Sequence, residues 1–276
     1  MNRAVERAIG YIWEQYGEPL TTADLAASAI LSKHHFCRTF LRATGVSPGR
    51  FLSAVRIFQA KRLLFSTSMN VTEISLAVGF NSLGSFTNHF TESVGISPGR
   101  FRRMVRGDGL DFADLPASPM PDSGIVRGNI VLPQGYAIAS VYAGVFRTTI
   151  LQGKPEAATV LQIASPGAAQ PYELHAPRGE WFIHAVAVAD TVDPEPWSRR
   201  ELLVAKAGPV RAEDGSATRA ILLLRPASLT DPPVLFALPE LDSLLDQMSV
   251  RFSPRRHTDA ASGLPAWAVA ESVGRD

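Results

Sequence analysis

The segment Ser82–Phe101, SLGSFTNHFTESVGISPGRF, decides the fold because its pattern also occurs fifty residues earlier, at Ser32–Phe51, SKHHFCRTFLRATGVSPGRF. In each copy a serine opens the segment, phenylalanines follow at the fourth and eighth positions after it, and a glycine stands at the thirteenth. The same five residues, SPGRF, close both copies. Two copies at a fixed offset are an internal repeat, which indicates two similar structural units.

The phenylalanines predict a helix with one buried face in each copy. An α-helix turns by about 100° per residue, so residues four apart in the sequence lie on the same face. Phe36 and Phe40 therefore share a face in the first copy, as Phe86 and Phe90 do in the second. The serine that opens each copy is a favoured N-cap residue, and we expect each helix to begin there.

A shorter helix is predicted directly before each of these, at Thr22–Ala29 and at Thr72–Val78. Gly79 follows the second short helix, and a glycine adopts the left-handed conformation that a tight turn between helices requires. Ile30 occupies the equivalent position in the first unit, where a β-branched side chain disfavours positive φ, so we expect that turn to be opened or repacked. A short helix, a tight turn and a second helix form the unit that places a recognition helix in the major groove of DNA.

The face opposite the phenylalanines predicts which side chains contact bases. These are Lys33, His34, Cys37 and Arg38 in the first unit, and Gly84, Ser85 and Asn88 in the second. The guanidinium fork of Arg38 suits a guanine edge, the amide of Asn88 suits an adenine edge, and Gly84 only allows close approach. We therefore expect the first unit to supply most of the base choice and the second to position the DNA backbone.

Contacts to phosphates are predicted at helix N-termini, where backbone N–H groups and the helix dipole favour anions. The residues at these positions are Ser32, Arg50, Ser82 and Arg100. Between the two units, the run from Gly49 to Ser66 predicts one long helix that acts as a stiff strut. Two recognition helices on such a strut are spaced to enter successive major grooves, about 34 Å apart on B-DNA.

These features resemble the DNA-binding domain of the AraC/XylS family of transcription regulators over residues 1–106, about two fifths of the chain. The resemblance is carried by the two copies, by Leu25-Ala26, by the strut sequence RIFQAKRLL at 56–64 and by the turn Val78-Gly79-Phe80. It implies double-stranded DNA and the transcription machinery as partners, and base contacts from the outward positions of each second helix. The family more often places this domain last, so the order of the halves is reversed here.

The charges divide between the two halves of the chain. Residues 1–106 contain 13 Lys and Arg against 6 Asp and Glu, a net charge of +7, whereas residues 107–276 contain 14 against 20, a net charge of −6. A basic half joined to an acidic half indicates that the first half meets a polyanion. The single cysteine excludes an internal disulfide and fits a reducing cytoplasm. No apolar run reaches about 18 residues, so no membrane span is expected.

The second half is predicted to be β-rich, which makes the chain multidomain: an all-α double helix-turn-helix domain at 1–106, a Pro-, Gly- and Asp-rich linker at 107–124, and a mainly antiparallel β-sandwich at 125–276. The predicted strands are 127–132, 136–142, 145–151, 158–164, 172–176, 180–188, 202–207, 220–225 and 234–238, and a helix is predicted at 241–248. The run Tyr172–Gly179 resembles a hairpin of the prealbumin-like sandwiches in carboxypeptidase regulatory domains, where it joins two strands.

Enzyme and metal patterns are weak or absent in the sequence. His34 and Cys37 stand three residues apart, as zinc ligands can, but no fourth ligand stands at a useful spacing. The chain lacks a P-loop, a dinucleotide-binding glycine pattern and a G-x-S-x-G nucleophile elbow. Glu173, His175 and Glu180 fit the solvated face of a sheet better than a catalytic cluster. We therefore expect no enzymatic activity, no metal and no cofactor.

The sequence predicts a cytoplasmic, sequence-specific DNA-binding transcription regulator and leaves the input of its C-terminal half open. One alternative is a small-molecule effector, for which Tyr142, Trp181, Phe182 and Trp197 are the available aromatic side chains. The other is self-association as a homodimer, or binding to another protein, through a sheet face or edge. A different function is that of a DNA-binding accessory or architectural protein whose β-domain only recruits partners.

Overall fold

The computed structural model describes residues 3–106, 123–192 and 201–238. The first range forms seven helices, which are α1 (Arg3–Gln15), α2 (Thr22–Ser28), α3 (Lys33–Thr44), α4 (Pro48–Ser66), α5 (Val71–Ala77), α6 (Leu83–Val94) and α7 (Pro98–Val105). The other two ranges form the strands β1 (Ser123–Val131), β2 (Tyr136–Phe146), β3 (Ala157–Ile163), β4 (Ala169–Pro177), β5 (Gly179–Thr191), β6 (Glu201–Ala212), β7 (Ala217–Arg219), β8 (Leu222–Leu223) and β9 (Arg225–Pro226).

The two helix-turn-helix units, α2–α3 and α5–α6, repeat each other in their caps as well as in their sequence. α5 begins with a capping box in which Asn70 and Glu73 each bond the backbone of the other, and α2 begins with the equivalent box. Such a pair satisfies two backbone N–H groups that a helix start leaves unpaired. α3 and α6 both end at a glycine in the left-handed conformation, Gly45 and Gly95. The predicted repeat is confirmed.

The phenylalanines of the repeat make the same packing twice. In the first unit the ring of Phe40 lies 5.3 Å from that of Phe36 and 5.5 Å from that of Phe51. In the second unit Phe90 has the equivalent neighbours at 5.6 and 5.8 Å. All six rings are fully buried, so the predicted apolar faces of α3 and α6 are confirmed. Because these faces anchor each helix, the opposite faces point to solvent.

α4 is the strut that the sequence predicts, and it packs against α2, α3, α5 and α6. It begins at Pro48, whose missing N–H would be unpaired at this position in any case, and the Ser47 hydroxyl caps it. Its buried residues lie on all sides of the helix, which is typical of a helix inside a core. Both recognition helices are therefore braced by one continuous element.

The first turn closes with the same backbone bond as the second, although it is one residue shorter, so the expectation that it is opened or repacked is wrong. Ile30 has a φ of +58° and Gly79 a φ of +83°. Leu31 N donates to the carbonyl O of Ala26 at 3.0 Å, and the equivalent bond in the second turn is 2.9 Å. The Ile30 side chain is 76% exposed, so it avoids steric conflict with the core, and the turn is kept at the cost of an unfavourable backbone conformation.

The strands form two sheets that share one apolar core. One sheet has the order β4-β1-β7, with β8 also beside β1, and the other has the order β3-β2-β5-β6-β9. Most neighbours are antiparallel, as predicted, but β7 and β8 run parallel to β1. Val126 and Leu174 of the first sheet and Val141 and Ile183 of the second belong to the same buried cluster.

Two predictions for single strands are wrong. β2 runs unbroken from Tyr136 to Phe146, so there is no separate strand at 145–151. Gly144 lies inside β2, where an added Cβ would stand 3.2 Å from the carbonyl O of Ala157; this glycine permits a close approach and does not mark a turn. The segment 234–238 is not part of a sheet, because its backbone bonds to a loop and to a helix end.

The predicted hairpin at Tyr172–Gly179 is also wrong. β4 pairs with β1, whereas β5 pairs with β2 and β6, so the chain crosses from one sheet to the other between Pro177 and Gly179. The sequence signals a tight reversal but not which sheet each strand joins, because pairing depends on distant strands.

Parts of the predicted domain plan fall outside the described residues. Residues 107–122 of the predicted linker are among these, as is the predicted helix at 241–248. β1 begins at Ser123, so its first two residues fall within the predicted linker. Within the described ranges, no helix combines the length and the apolar character needed to cross a membrane.

Candidate nucleic-acid interface

α3 presents basic side chains on the face opposite its buried phenylalanines. Lys33, His34 and Arg38 are exposed, in agreement with the predicted outward face, and Arg42 is exposed one turn further on. Cys37 is only partly exposed and packs against the helical core, because it adjoins the buried face of the helix. The outward face of α3 is therefore narrower than the sequence predicts.

The serines at the starts of the two recognition helices differ in how they are used. Ser32 stands at the N-cap of α3 with extended backbone, but its hydroxyl makes no capping hydrogen bond. The Ser82 hydroxyl accepts a hydrogen bond from the backbone N–H of Ser85 at 3.2 Å. The Ser32 hydroxyl can therefore turn to an external group, whereas that of Ser82 is held by its own helix.

α6 presents a smaller and less charged surface than α3. Ser85 and Asn88 are exposed, and no atom lies within 4 Å of the place where a Cβ would stand at Gly84. Leu83 and His89, which the sequence also places on this helix but not among the predicted base contacts, share this surface. Leu83 is 42% exposed, and the His89 ring lies 5.8 Å from the ring of the turn residue Phe80.

The arginines at the equivalent N-termini of α4 and α7 are held by the same backbone geometry. Arg50 is exposed and Arg100 is half-buried, and the backbone N–H of each donates to the preceding cap serine at 3.4 Å. Arg102 has a role inside the protein, since its Nη2 donates to the carbonyl O of Met69. Burial, with a smaller effect of Arg106 nearby, lowers the pKa of Arg102.

A cleft of about 430 Å³ lies between the N-terminal half of α4 and the second unit. Arg56 forms part of its wall, and its guanidinium donates to the carbonyl oxygens of Tyr16 at 2.8 Å and Glu18 at 2.7 Å. A positive charge is thus fixed beside the second turn. The cleft is lined by Gly49, Leu52, Ser53, Arg56, Gly79, Phe80, Asn81, Ser82, Ser85 and His89. Sequence reasoning missed it because its walls come from the strut and from the second unit, which are far apart in the helix pattern of the chain.

The C-terminal half contains a second cleft, of about 540 Å³, on the first sheet. Arg127 and Arg219 stand beside each other on the paired strands β1 and β7, and Glu173 stands on the other side of Arg127. Two like charges on neighbouring strands repel each other, and a bound anion relieves that repulsion. The cleft is lined by Arg127, Gly128, Asn129, Pro171, Tyr172, Glu173, Ala217 and Arg219.

The aromatic residues considered for an effector lie mainly in packed surroundings. Trp181 is 3% exposed, and its Nε1 donates to the carbonyl O of Pro177 at 2.6 Å. Phe182 is half-buried, and Trp197 lies outside the described residues. The Tyr142 hydroxyl is buried and has no hydrogen-bond partner among the described residues, and burial raises its pKa.

The groups considered for catalysis or metal binding are scattered. The Glu173 Oε1 and His175 Nε2 atoms are 3.9 Å apart on exposed positions of β4, while Glu180 lies on β5 in the other sheet. In the part of the chain that the structure describes, no three His, Cys, Asp or Glu side chains are grouped closely enough to hold a metal ion.

Known proteins resemble the helical half. A family model for a helix-turn-helix domain matches residues 25–104. The lactose operon transcription activator of Staphylococcus xylosus is 29% identical over 92 residues, which are 33% of this chain and 33% of the relative. The uncharacterized HTH-type transcriptional regulator YobQ of Bacillus subtilis is 34% identical over 101 residues, which are 37% of this chain and 42% of the relative. The chain therefore spans less than half the length of these curated relatives.

Two solved structures are similar over the same share of the chain. The DNA-binding domain of AdpA, in complex with a target DNA, is 30% identical, and the match covers 38% of this chain and 97% of that one with a TM-score of 0.36. A transcriptional regulator from Chromobacterium violaceum is 27% identical, and the match covers 39% of this chain and 96% of that one with a TM-score of 0.37.

Proposed function

Since residues 25–104 form an AraC-type helix-turn-helix domain, we propose that this protein is a sequence-specific transcription regulator that reads two successive major grooves of double-stranded DNA. The observation that carries the proposal is the exposed basic face of α3, which is held outward because Phe36 and Phe40 anchor the opposite face. The proposal places the protein in the cytoplasm and includes no enzymatic step.

The first unit supplies most of the base choice. α3 enters a major groove with Lys33, His34 and Arg38 toward the base edges, and Arg38 donates two hydrogen bonds to O6 and N7 of a guanine. Such a bidentate pair discriminates against the wrong base by about 1–3 kcal/mol. Cys37 contacts the DNA only from the edge of this face, because its side chain is partly buried against the core.

The second unit mainly positions the duplex. The open surface at Gly84 lets the helix approach the groove closely, and the Asn88 amide then reaches an adenine edge. Ser85 offers one hydroxyl to a base or a phosphate, while Ser82 holds the helix start in place. With no cationic side chain at these predicted contact positions, α6 contributes less electrostatic attraction than α3 does.

Phosphate contacts come from the helix N-termini. Arg50 and the N–H of Gly49 at the start of α4 bind one phosphate, Arg100 and the N–H of Gly99 at the start of α7 bind another, and the Ser32 hydroxyl reaches a third. The cleft beside Arg56 accommodates the DNA backbone where it passes between the two major grooves. The net charge of +7 on residues 1–106 adds a salt-dependent attraction that carries no sequence information.

The C-terminal half is the input domain in this proposal. Its two sheets form a β-sandwich, and the cleft with Arg127 and Arg219 favours an anionic effector over a neutral one. A sheet edge is the alternative site for a protein partner, including a second copy of the chain or the transcription machinery. Thermal unfolding with a panel of anionic metabolites separates these inputs, because a ligand raises the melting temperature by mass action.

Selection of bound sequences from a random DNA pool tests the proposed function. We expect the wild-type protein to enrich a motif with two conserved parts about one helical turn apart. Arg38→Ala is expected to lose the choice of base at one position of the first part, and Asn88→Ala to have a smaller effect. No enriched motif with wild-type protein contradicts the function, and a larger loss with Asn88→Ala contradicts the assigned division between the units.

A further inference from the structure

The C-terminal half holds the end of the second recognition helix by direct backbone bonds. The loop 147–153 and the segment 234–238 together form what we call the clamp. The N–H of Gly153 donates to the carbonyl O of Ser93 at 2.6 Å, and the N–H of Ala237 donates to the carbonyl O of Val94 at 3.0 Å. The last carbonyls of a helix have no partner within the helix, so the clamp completes the C-terminal end of α6.

The same half also approaches the end of the first recognition helix. The Thr149 hydroxyl of the clamp donates to the carbonyl O of Gly45, the C-cap of α3, at 3.5 Å. The Lys206 ammonium lies 3.6 Å from the place where a Cβ would stand at Gly45. A positive charge beside a helix C-terminus is stabilising because of the helix dipole. The equivalent ends of α3 and α6 are thus both held by the C-terminal half.

The clamp is also part of the helical core. Ile150 from its loop and Leu235 from its segment are buried in the core of the helical half, and the N–H of Leu235 donates to the carbonyl O of Leu151 at 3.0 Å, which ties the two parts together. The Phe236 ring faces the other way and packs against Tyr142 in the second sheet at 4.6 Å. One short segment therefore contributes side chains to the cores of both halves.

Lys61 connects the strut to the clamp. Its side chain is 1% exposed, although a lysine is rarely buried unless its charge is satisfied. Its Nζ donates to the carbonyl O of Phe236 at 3.1 Å and lies 5.4 Å from the centre of the Phe101 ring. Phe101 in turn packs on Phe90 of α6. Lys61 and Phe101 therefore link the clamp to the strut and to Phe90 on the buried face of α6.

We propose that the C-terminal half is a positioning element for DNA reading: the clamp, with Lys61 as its positioning residue, fixes the spacing and angle between α3 and α6. This inference rests on the proposed function. The C-terminal half is bonded to the ends of α3 and α6 and to the strut between them. It therefore restrains the movement of the two helices relative to each other. The two helices then match one spacing of half-sites on DNA and discriminate against spacings that differ by one base pair.

The test uses the full chain and duplexes that carry the two selected half-sites at the best spacing and at one base pair more or less. Lys61→Met removes the ammonium and keeps the length of the side chain. Ile183→Val, which opens a small cavity in a buried cluster of the β-half that contains no clamp residue, is the control for loss of stability alone. Lys206→Met removes the charge beside Gly45 and changes an exposed position of β6.

We expect Lys61→Met to reduce the preference for the best spacing by roughly 2- to 30-fold, the range of effects seen for residues that couple sites. Lys206→Met is expected to reduce it in the same direction by a smaller factor, and Ile183→Val to leave it unchanged. Equal weakening at all spacings, or the same change with Ile183→Val, overturns the inference. If the wild-type protein binds all spacings equally, the proposed function is overturned as well. If Lys61→Met and Lys206→Met both keep the full spacing preference, the inference alone is overturned.

Discussion

Replacement of Ile30 by glycine is expected to stabilise the helical half, which is unusual for removal of a large apolar side chain. The left-handed conformation costs a non-glycine residue about 1–2 kcal/mol, and this cost applies to Ile30 because its φ is +58°. Glycine loses more chain entropy on folding, a cost of about 0.5–1 kcal/mol. The Ile30 side chain is 76% exposed, so little burial is lost. The net gain for Ile30→Gly is about 0.75 kcal/mol, within a range of about 0–1.5 kcal/mol.

Chemical denaturation of the full chain, followed by helical circular dichroism, measures this gain as a higher denaturation midpoint at an unchanged slope. Gly79→Ala, at the same position of the second unit, is the matched control. Its backbone also has positive φ, and the added Cβ would stand 2.7 Å from the carbonyl O of Gly17, so this variant should lose at least about 1 kcal/mol. If Ile30→Gly lowers the midpoint, the Ile30 side chain contributes contacts that outweigh the backbone cost, and the reasoning is refuted.

Three other expected outcomes concern the core, the buried histidine and the phosphate contacts. Phe90→Ala should lower the free energy of unfolding by about 3–5 kcal/mol, since the ring packs on two others; a loss below 1 kcal/mol contradicts that packing. Burial, partly offset by a hydrogen bond to Thr148, lowers the pKa of His184 to about 4. Between about pH 6.5 and 4 the unfolded chain therefore binds a proton that the folded chain excludes. The free energy of unfolding should decrease as the pH is lowered through that window, by at most about 1.4 kcal/mol per pH unit. Denaturation of His184→Gln at several pH values should show a shallower fall, and an identical fall argues against a buried neutral histidine. Arg50→Ala should reduce the slope of log binding constant against log salt by about one, measured by titration at several salt concentrations; an unchanged slope removes Arg50 from the phosphate contacts.

The helical half could be predicted from sequence because its determinants are local. A serine, threonine or asparagine precedes each helix from α2 to α7, glycines end α3 and α6, and the phenylalanine spacing gives the buried face directly. The departure at Ile30 shows the limit of such rules. The bonds that close the turn and the packing of the two helices outweigh a local preference of about 1–2 kcal/mol.

The β-half was predicted less well because strand pairing depends on residues far apart in the chain. Gly144 looked like a break between strands, but its role is set by the neighbouring strand β3, which approaches it closely. The segment 234–238 is a short apolar run such as a buried strand can have, yet its residues divide between two cores, and no local pattern distinguishes these cases.

Some features of the candidate site also follow from the local sequence pattern, whereas others depend on tertiary contacts. Exposure of His34, Arg38 and Asn88 follows from helix periodicity once the phenylalanines are placed. The half-buried position of Cys37, the cleft beside Arg56 and the clamp on both recognition helices arise from contacts between units and between halves. These features required the tertiary structure, and they carry the inferences that go beyond the repeat.

The claim that two recognition helices read successive major grooves is tested most directly by methylation interference on the selected DNA site. Methylation of guanine N7 blocks contacts in the major groove only. We predict two clusters of interfering guanines on one face of the duplex, about 10–10.5 base pairs apart, with the cluster under α3 lost in Arg38→Ala. A single cluster with wild-type protein, or interference unchanged by Arg38→Ala, would contradict the account.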